Sequence, residues 1–591
     1  MKTIKNISLM AAGLIVLSSC KDMLDAPTKS AMEESVIYST PGLAEGIIPG
    51  ILQSFGETNS YRGRFLVYYG INTDTEVSNS LKNTTDDKAR LANYDADAFN
   101  SQMNTDNNAY AKFYEGIERA NLAIAGIRRF GNVTEDAAMG RVLGEILTLR
   151  AVLYNDLIKG WGDVPARFEP ITLATAYLPR SDRDTIYKQV LADLDEAAGY
   201  LPWPKESGAA SVERVNKAFA KGLRARMALA AGGYAYRLDG TIRLSTDPEL
   251  SRDKMYAIAK KECLDIIGSK SLRLLGFEEV FRKLNEEAGE AGLESMWEIP
   301  FSAGRGRVIF DLGVRHTNPD KYTKQAKGGT DGPNPIMLYE YEKDDVRRDV
   351  TIVPYEWTDG IQVPSSLSRL YFGKYRYEWM KRIVSSDNDD GLNWMYMRYA
   401  DVLLMAAEAI NEIDGPAAAA PYLREVRERA FPDNLQKVTD YMNLVTGSKE
   451  RFFEAIVDER ALEFTGEMLR KADLIRWNML DTKLQEAKTK LEQLENRQGK
   501  YSNLPAKIYY RTRPNGETVE IYGLNFGDTD GQGTALGYTA SKTWTLTASD
   551  DKTTYWNALF VKDPNKQQVW PIWQYFIDNS NNTLDNKHLG L

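Results

Sequence analysis

Apolar residues recur at helical spacing along most of this chain, and that periodicity narrows its fold more than any other feature. Val142, Ile146, Leu149, Leu153 and Leu157 step by four, three, four and four, which traces one face of a helix. Trp161-Gly162-Asp163-Val164-Pro165 then ends it, because glycine and proline both stop helices. A second helix is expected from about residue 184 to 200, ahead of Pro202 and Pro204. A third is expected from about residue 212 to 236, where Ala218, Ala225, Ala228, Ala230 and Ala231 suit close helix–helix contact. From residue 402 to 410 the apolar face is wide, which fits a helix buried between neighbours. Gly415-Pro416 breaks it, and the next helix runs to about Ala430. A further helical stretch starts near Ser448, has a joint at Gly466 and continues to about Gln498. Helix pairs separated by short breaks read as α-hairpins. Residues 297–391 and 501–566 differ: they are rich in Gly, Pro, Asp, Asn and aromatics, with only short strand-like runs. Loops of that length in a folded chain are often functional. The expected fold is mainly α, a helical-repeat scaffold carrying large irregular, loop-rich insertions and a few short strands.

The N-terminus reads as a targeting segment over residues 1–19. Lys2 and Lys5 form a basic start, and the apolar run from Ile7 to Leu17 is far shorter than the roughly 20 residues of a bilayer span. Leu17-Ser18-Ser19-Cys20 looks like a lipobox, in which the Cys20 sulfur is acylated and becomes the new N-terminus. Several acyl chains, at about 0.8 kcal/mol per buried methylene, would hold the protein durably on a membrane that it does not cross. Lys21, Asp22 and Asp25 place charge directly behind that cysteine. Of the two cysteines, lipidation consumes the first, so no intrachain disulfide is expected, and Cys263 reads as a buried structural thiol in a helical pattern. The net charge is -9, and losing Lys2 and Lys5 makes the remainder more acidic, which argues against nucleic acid as a partner.

Much familiar chemistry is missing. His316 and His588 are the only histidines, which leaves no His-rich metal site and little scope for a His-based triad. No phosphate-binding G-x-x-x-x-G-K-[ST] loop occurs. Asp387-Asn388-Asp389-Asp390-Gly391 hints at an EF-hand, but position 12 of that loop is Met397 rather than Glu, and Asp528-Thr529-Asp530-Gly531 fails likewise. No cofactor is expected, although a surface Ca²⁺ on either acidic loop stays open.

Several segments carry a family resemblance. They include Tyr110-x3-Tyr114-x2-Ile117-x2-Ala120-Asn121, then Leu149-Arg150-Ala151 leading to Gly162-Asp163-Val164-Pro165, and the alanine-rich stretch from Asn216 to Ala230. Arg398-Tyr399-Ala400-Asp401-Val402-Leu403-Leu404 with Ala407-Glu408-Ala409 follows, then Val426-Arg427-x-Arg429-Ala430. The most specific is Ile456-x2-Glu459-Arg460-x2-Glu463-Phe464-x-Gly466-Glu467-x2-Arg470-x2-Asp473-Leu474-x-Arg476-Trp477. The chain closes with Trp570-Pro571-Ile572, Asn582-Thr583-Leu584, Asn586 and Gly590-Leu591, where family members usually end Gly-Tyr. In this order, behind a lipobox, the set resembles the SusD/RagB family of nutrient-binding outer-membrane lipoproteins of Bacteroidetes type.

The resemblance implies a tetratricopeptide-like scaffold with a loop-rich ligand face. It divides the chain into an N-terminal helical region, residues 20–295, and a C-terminal region, residues 296–591, whose scaffold helices lie within 395–498. It also implies a location on the cell exterior, a SusC-like TonB-dependent transporter as partner, and a role as that transporter's lid. Ligand residues are not fixed by the family motifs. A sugar presents C–H faces that stack on aromatic rings and hydroxyls that need directional hydrogen bonds. Loop placement then nominates Asp74, Asn79 and Tyr94 in one stretch and Trp357 and Tyr371 in another, with Arg305 between them in sequence. Glu459, Glu463 and Glu467 lie at helical spacing and raise the idea of a glycosidase pair. Arg460, Arg470, Asp473 and Arg476 are interleaved with them, and a neighbouring arginine lowers a carboxyl pKa, so a structural ion network is the expectation, with Asp401 and Glu408 in the same class. The leading reading is non-catalytic glycan capture; peptide uptake of RagB type and a surface glycoside hydrolase stay open as alternatives.

Overall fold

The structure, a computed structural model, describes residues 32–57, 59–78, 85–105, 108–326, 328–385, 388–546 and 558–590. Cys20 and Asn79 lie outside the described residues. The helices begin where the sequence offers a cap. Asn108, Asp136, Asp182, Asn216 and Ser448 each precede a helix and accept a backbone N–H of its first turn. Each cap satisfies donors that would otherwise have no intrahelical partner.

The long helices stack in chain order. Ala109–Phe130 packs on Ala137–Trp161, which packs on Arg183–Tyr200, and the series continues through Lys217–Ala231, Arg252–Ser269, Tyr399–Asp414 and Pro416–Ala430. This is the mainly α, tetratricopeptide-like scaffold. The chain leaves the stack after Ser269 and rejoins it at Tyr399, so most of the first irregular stretch is an insertion into the scaffold. Cys263 is fully buried in this stack, and burial pushes its thiol well up.

Two expected helices are shorter than their apolar patterns. The third spans Lys217–Ala231 rather than 212–236, because Asn216 caps it at one end and Gly232 follows its last residue. The Gly233 position then presses on the backbone of Arg476, 2.8 Å from a would-be Cβ. The stretch after Ser448 divides into Lys449–Phe464, Arg470–Arg476 and Leu480–Glu495. The joint is Gly466 at φ +90, where a Cβ would meet the Phe372 ring at 3.0 Å.

Strands are short and local. Glu76–Ser78 pairs antiparallel with Asp331–Pro333, Tyr355–Thr358 with Ile361–Pro364, and Lys507–Thr512 lies between Val519–Tyr522 and Ala540–Thr543. The main hydrophobic core joins both halves of the chain, with Leu153, Trp297, Leu404 and Trp570 in one cluster. A second cluster, including Tyr339, Leu484, Leu491 and Trp544, underlies the last long helix and the three-stranded sheet. Among the described residues no helix is long and apolar enough to cross a membrane.

Candidate functional site

The segment between the short helices Phe65–Gly70 and Asp87–Ala92 is held in place from several sides. Asn72 adopts φ +59, a conformation asparagine tolerates better than most residues. Its amide donates to Ala558 O at 3.1 Å, its Oδ1 accepts from Ser78 N at 3.2 Å, and its carbonyl accepts from the Tyr94 hydroxyl at 3.0 Å. Strand pairing then sets Ser78 opposite Asp331. Asn72, Ser78 and Asp331, together with Tyr68, Asp86, Lys88, Asn93 and Thr330, line a cavity of about 240 Å³.

The cavity has the makings of a saccharide site. Tyr68 offers a half-buried ring, and amides, hydroxyls and carboxylates stand around it. Asp331 is 1% exposed; its Oδ2 accepts from Thr330 Oγ1 at 2.9 Å, and its Oδ1, with Ser78 close by, has no partner in hydrogen-bonding geometry among the described residues. Burial pushes its carboxyl up to about 7, against the weaker pulls of Thr330, Ser78 and Lys88. The Tyr68 hydroxyl is pushed far up by burial and then by Asp331, Asp311 and Asp86, with Arg64 opposing them.

The charged motif lies behind this segment and fastens it. Arg470 grips Asp74 with two hydrogen bonds, 2.9 and 2.6 Å. Gly466 N donates to Glu76 Oε1 at 2.7 Å. Glu76 is fully buried, and burial pushes its carboxyl up to about 8 despite the N–H groups of Gly466 and Met468 and the charge of Lys374. The glutamates of the motif mostly pair with cations from elsewhere. Glu459 binds Arg347 and Arg427 at 2.7 and 2.6 Å, and Glu463 binds Arg347, Arg398 and Arg429. Glu467 binds Lys374 and Arg398 at 2.6 and 2.8 Å. Burial alone would raise the Glu463 carboxyl, but Arg429, Arg398, Arg347 and Lys374 outweigh it and hold the group well below the usual range. Within the motif, Arg460 and Arg476 both pair with Asp473, and they reach Asp401 and Glu408 in the scaffold. A carboxylate clasped this way is a poor proton donor or base.

The other nominated residues are placed differently. Tyr94 is buried at 3% exposure, with its ring 4.5 Å from the Lys471 ammonium, so it shapes the segment from behind. Trp357 and Tyr371 are likewise packed in a small cluster with Val314 and Val353, and the His316 ring stacks on Trp357. None of these three rings offers a free face, because each is buried in a hydrophobic cluster, Tyr94 in one and Trp357 and Tyr371 in another. Tyr371 acts on the cavity at one remove: Gly329, at φ +61, lies against its ring, where a Cβ would come within 2.4 Å. That contact seats the strand carrying Asp331. Arg305 is exposed in a turn, well apart in the chain from the cavity-lining residues. The acidic loops use their carboxylates on the protein itself: Asp389 pairs with Arg62 and Arg307, Asp390 accepts three backbone N–H groups, and Asp528 and Asp530 accept two each.

A larger cleft, about 360 Å³, lies on the far side of the same segment and includes Asp74 and Thr75. Its charges largely satisfy one another, through Asp74–Arg470, Glu340–Lys490, Glu486–Lys483 and Glu459–Arg427. The Tyr441 ring there is covered by Arg427 at 3.7 Å. It therefore offers less to a ligand than the smaller cavity.

Comparison with known proteins follows the same lines. Residues 317–587 match the model described as SusD family, and residues 44–229 match the model described as starch-binding associating with outer membrane. SusD-like protein P25 of Formosa agariphila is 25% identical, over 81% of this chain and 90% of that protein. SusD-like protein P38 of the same organism is 25% identical, over 81% and 92%. Among solved structures, a SusD homolog from Bacteroides thetaiotaomicron superimposes with a TM-score of 0.71 at 19% identity, covering 93% of this chain and 97% of that one. Surface glycan-binding protein A from the same organism, solved in complex with laminarihexaose, gives a TM-score of 0.59 at 18% identity, covering 92% and 99%.

Proposed function

The chain belongs to the SusD/RagB family, and on that premise we propose that it captures glycan at the cell surface without cleaving it and passes it to a SusC-like TonB-dependent transporter, for which it serves as the lid. The observation that carries this reading is the cavity around Tyr68, where a ring, two amides, hydroxyls and two carboxyl groups converge. A similar fold holds laminarihexaose in surface glycan-binding protein A, and a family model described as starch-binding covers the part of the chain that supplies Tyr68 and Asn72. Acylation at Cys20 would anchor the protein to the outer membrane with its bulk facing outward.

Hydrolysis needs two carboxyls flanking one glycosidic bond. The cavity is lined by Asp331 and Asp86, and Asp86 caps the helix Asp87–Ala92 by accepting Lys88 N at 2.8 Å. Binding without turnover fits that arrangement better. Peptide capture by strand addition needs an open strand edge. The strands beside the cavity, Glu76–Ser78 and Asp331–Pro333, are short and almost wholly buried, which favours sugar.

The test is affinity electrophoresis of residues 21–591 in native gels cast with plant, host and microbial polysaccharides. Retardation by one or two polymers that keep their length is expected. Retardation by none, or shortening of the polymer, contradicts the proposal.

A further inference from the structure

Among its described lining residues, the cavity around Tyr68 is short of positive charge. Asp331 forms part of its wall, with no partner for Oδ1 in hydrogen-bonding geometry among the described residues, and Thr330 beside it also contacts Asp311, accepted by the Asp311 carbonyl at 3.1 Å. Asp311 is a second buried carboxyl, with no ion pair among the described residues. Asp86 adds a third acidic group at the rim. Among the described residues the one cation in the lining is Lys88, which is solvent-exposed and strongly screened, as is Asp86. Arg64 acts on Tyr68 from outside the lining and is itself turned to Gln102 and the Gly63 carbonyl. Three carboxyls thus bear on the Tyr68 hydroxyl, the polar group nearest the ring a sugar would stack on.

Resting on the glycan-binding reading, we infer that this cavity takes uncharged or amino-bearing sugar residues and rejects uronic-acid and sulfated ones, with Asp331 as the discriminating residue. Hydroxyl and ammonium groups bring donors to the open acceptor at Asp331 Oδ1. A carboxylate or sulfate brings only acceptors and, once Asp331 is ionised above about pH 7, a like charge, and no arginine stands among the described lining residues to receive it. Specificity of this kind comes from the penalty on the wrong ligand rather than from extra contacts to the right one.

The experiment uses one backbone in two charge states. The neutral polysaccharide that most retards residues 21–591 is oxidised at C6, which converts primary alcohols to carboxylates and leaves the chain otherwise unchanged. Apparent affinities for both forms are measured by the same gels. The wild-type affinity is expected to fall by about tenfold or more on oxidation and to recover in part as salt is raised, as for unfavourable like charges. In Asp331→Asn the ratio of oxidised to neutral affinity is expected to rise, and taking the ratio within each variant cancels any general weakening. Equal or tighter wild-type binding of the oxidised polymer, or a loss that salt does not relieve, overturns the inference whether or not the variant folds. Retention by anionic polymers alone overturns it while leaving glycan binding intact. Retention by no polymer of either charge removes the glycan reading itself, and this inference with it.

Discussion

Arg470 clasps Asp74 across the boundary between the scaffold and the segment 71–86, with Nε and Nη2 on the two carboxylate oxygens at 2.9 and 2.6 Å. The same guanidinium donates from Nη1 to Val457 O at 2.8 Å, which ties it to the preceding helix. One residue of the charged motif therefore fixes both the helix Lys449–Phe464 and the segment whose other residues, Asn72 and Ser78, line the cavity.

Asp74 reaches the larger cleft and not the cavity, so its effect on glycan binding is through position. Asp74→Ala leaves the buried Arg470 charge unpaired and is expected to cost about 3 kcal/mol of stability. Glycan affinity should fall as well, and adding salt should not restore it. Thermal unfolding and affinity gels on the same sample check both effects.

Glu463 is fully buried and shared among Arg347, Arg398 and Arg429. Glu463→Ala takes a shared carboxylate from three buried guanidinium groups, which keep Asp345 and Glu459, Glu294 and Glu467, and Glu294 respectively, and a loss of about 3 kcal/mol is expected. Thermal unfolding measures it, and an unchanged melting temperature counts against the network as a stabilising element.

Glu76 supplies a pH dependence. Its carboxyl is pushed up to about 8 by burial, above its unfolded value near 4, so the folded state binds its proton more tightly. The stability this contributes is fully present below about pH 4 and is lost as pH rises through about 8. Glu76→Gln keeps the acceptor for Gly466 N and cannot ionise. Relative to wild type, its melting temperature should therefore rise progressively between pH 5 and pH 9; a constant difference would contradict the assignment.

Lys471 works in the opposite sense. It is 1% exposed, meets the Tyr69 and Tyr94 rings, forms no ion pair among the described residues, and is pushed down to about 7 by burial. Below pH 7 the folded state carries a buried charge; from about 7 to 10 the unfolded state binds the extra proton, so stability rises with pH. Lys471→Met should raise the melting temperature, and by more at pH 6 than at pH 9.

The scaffold was legible because helices announce themselves locally. The spacing of Val142, Ile146, Leu149, Leu153 and Leu157 and the break at Gly415-Pro416 need no distant information. The partners of Glu459 and Glu463 were not legible, because Arg347 and Arg398 arrive from the insertion and from the strand before Tyr399. The same holds for the cavity. Its 68–93 side stands out as a polar, aromatic-flanked stretch, whereas Asp331 comes from a segment more than 230 residues later and is set opposite Ser78 only by strand pairing. The run Gly328-Gly329-Thr330-Asp331-Gly332-Pro333 was the available signal, since such glycine and proline density marks a forced backbone path. Composition also cannot tell a stacking ring from a core ring, and Tyr94, Trp357 and Tyr371 all turned inward.

The central claim, that glycan sits between the 68–93 segment and the Asp331 strand, is tested most directly by hydrogen–deuterium exchange with and without a retained oligosaccharide. Slower exchange at residues 68–78, 86–93 and 330–333, with little change at 336–342 and 483–490, is the predicted result. Protection confined to 336–342 and 483–490 would place the ligand in the larger cleft and contradict the account.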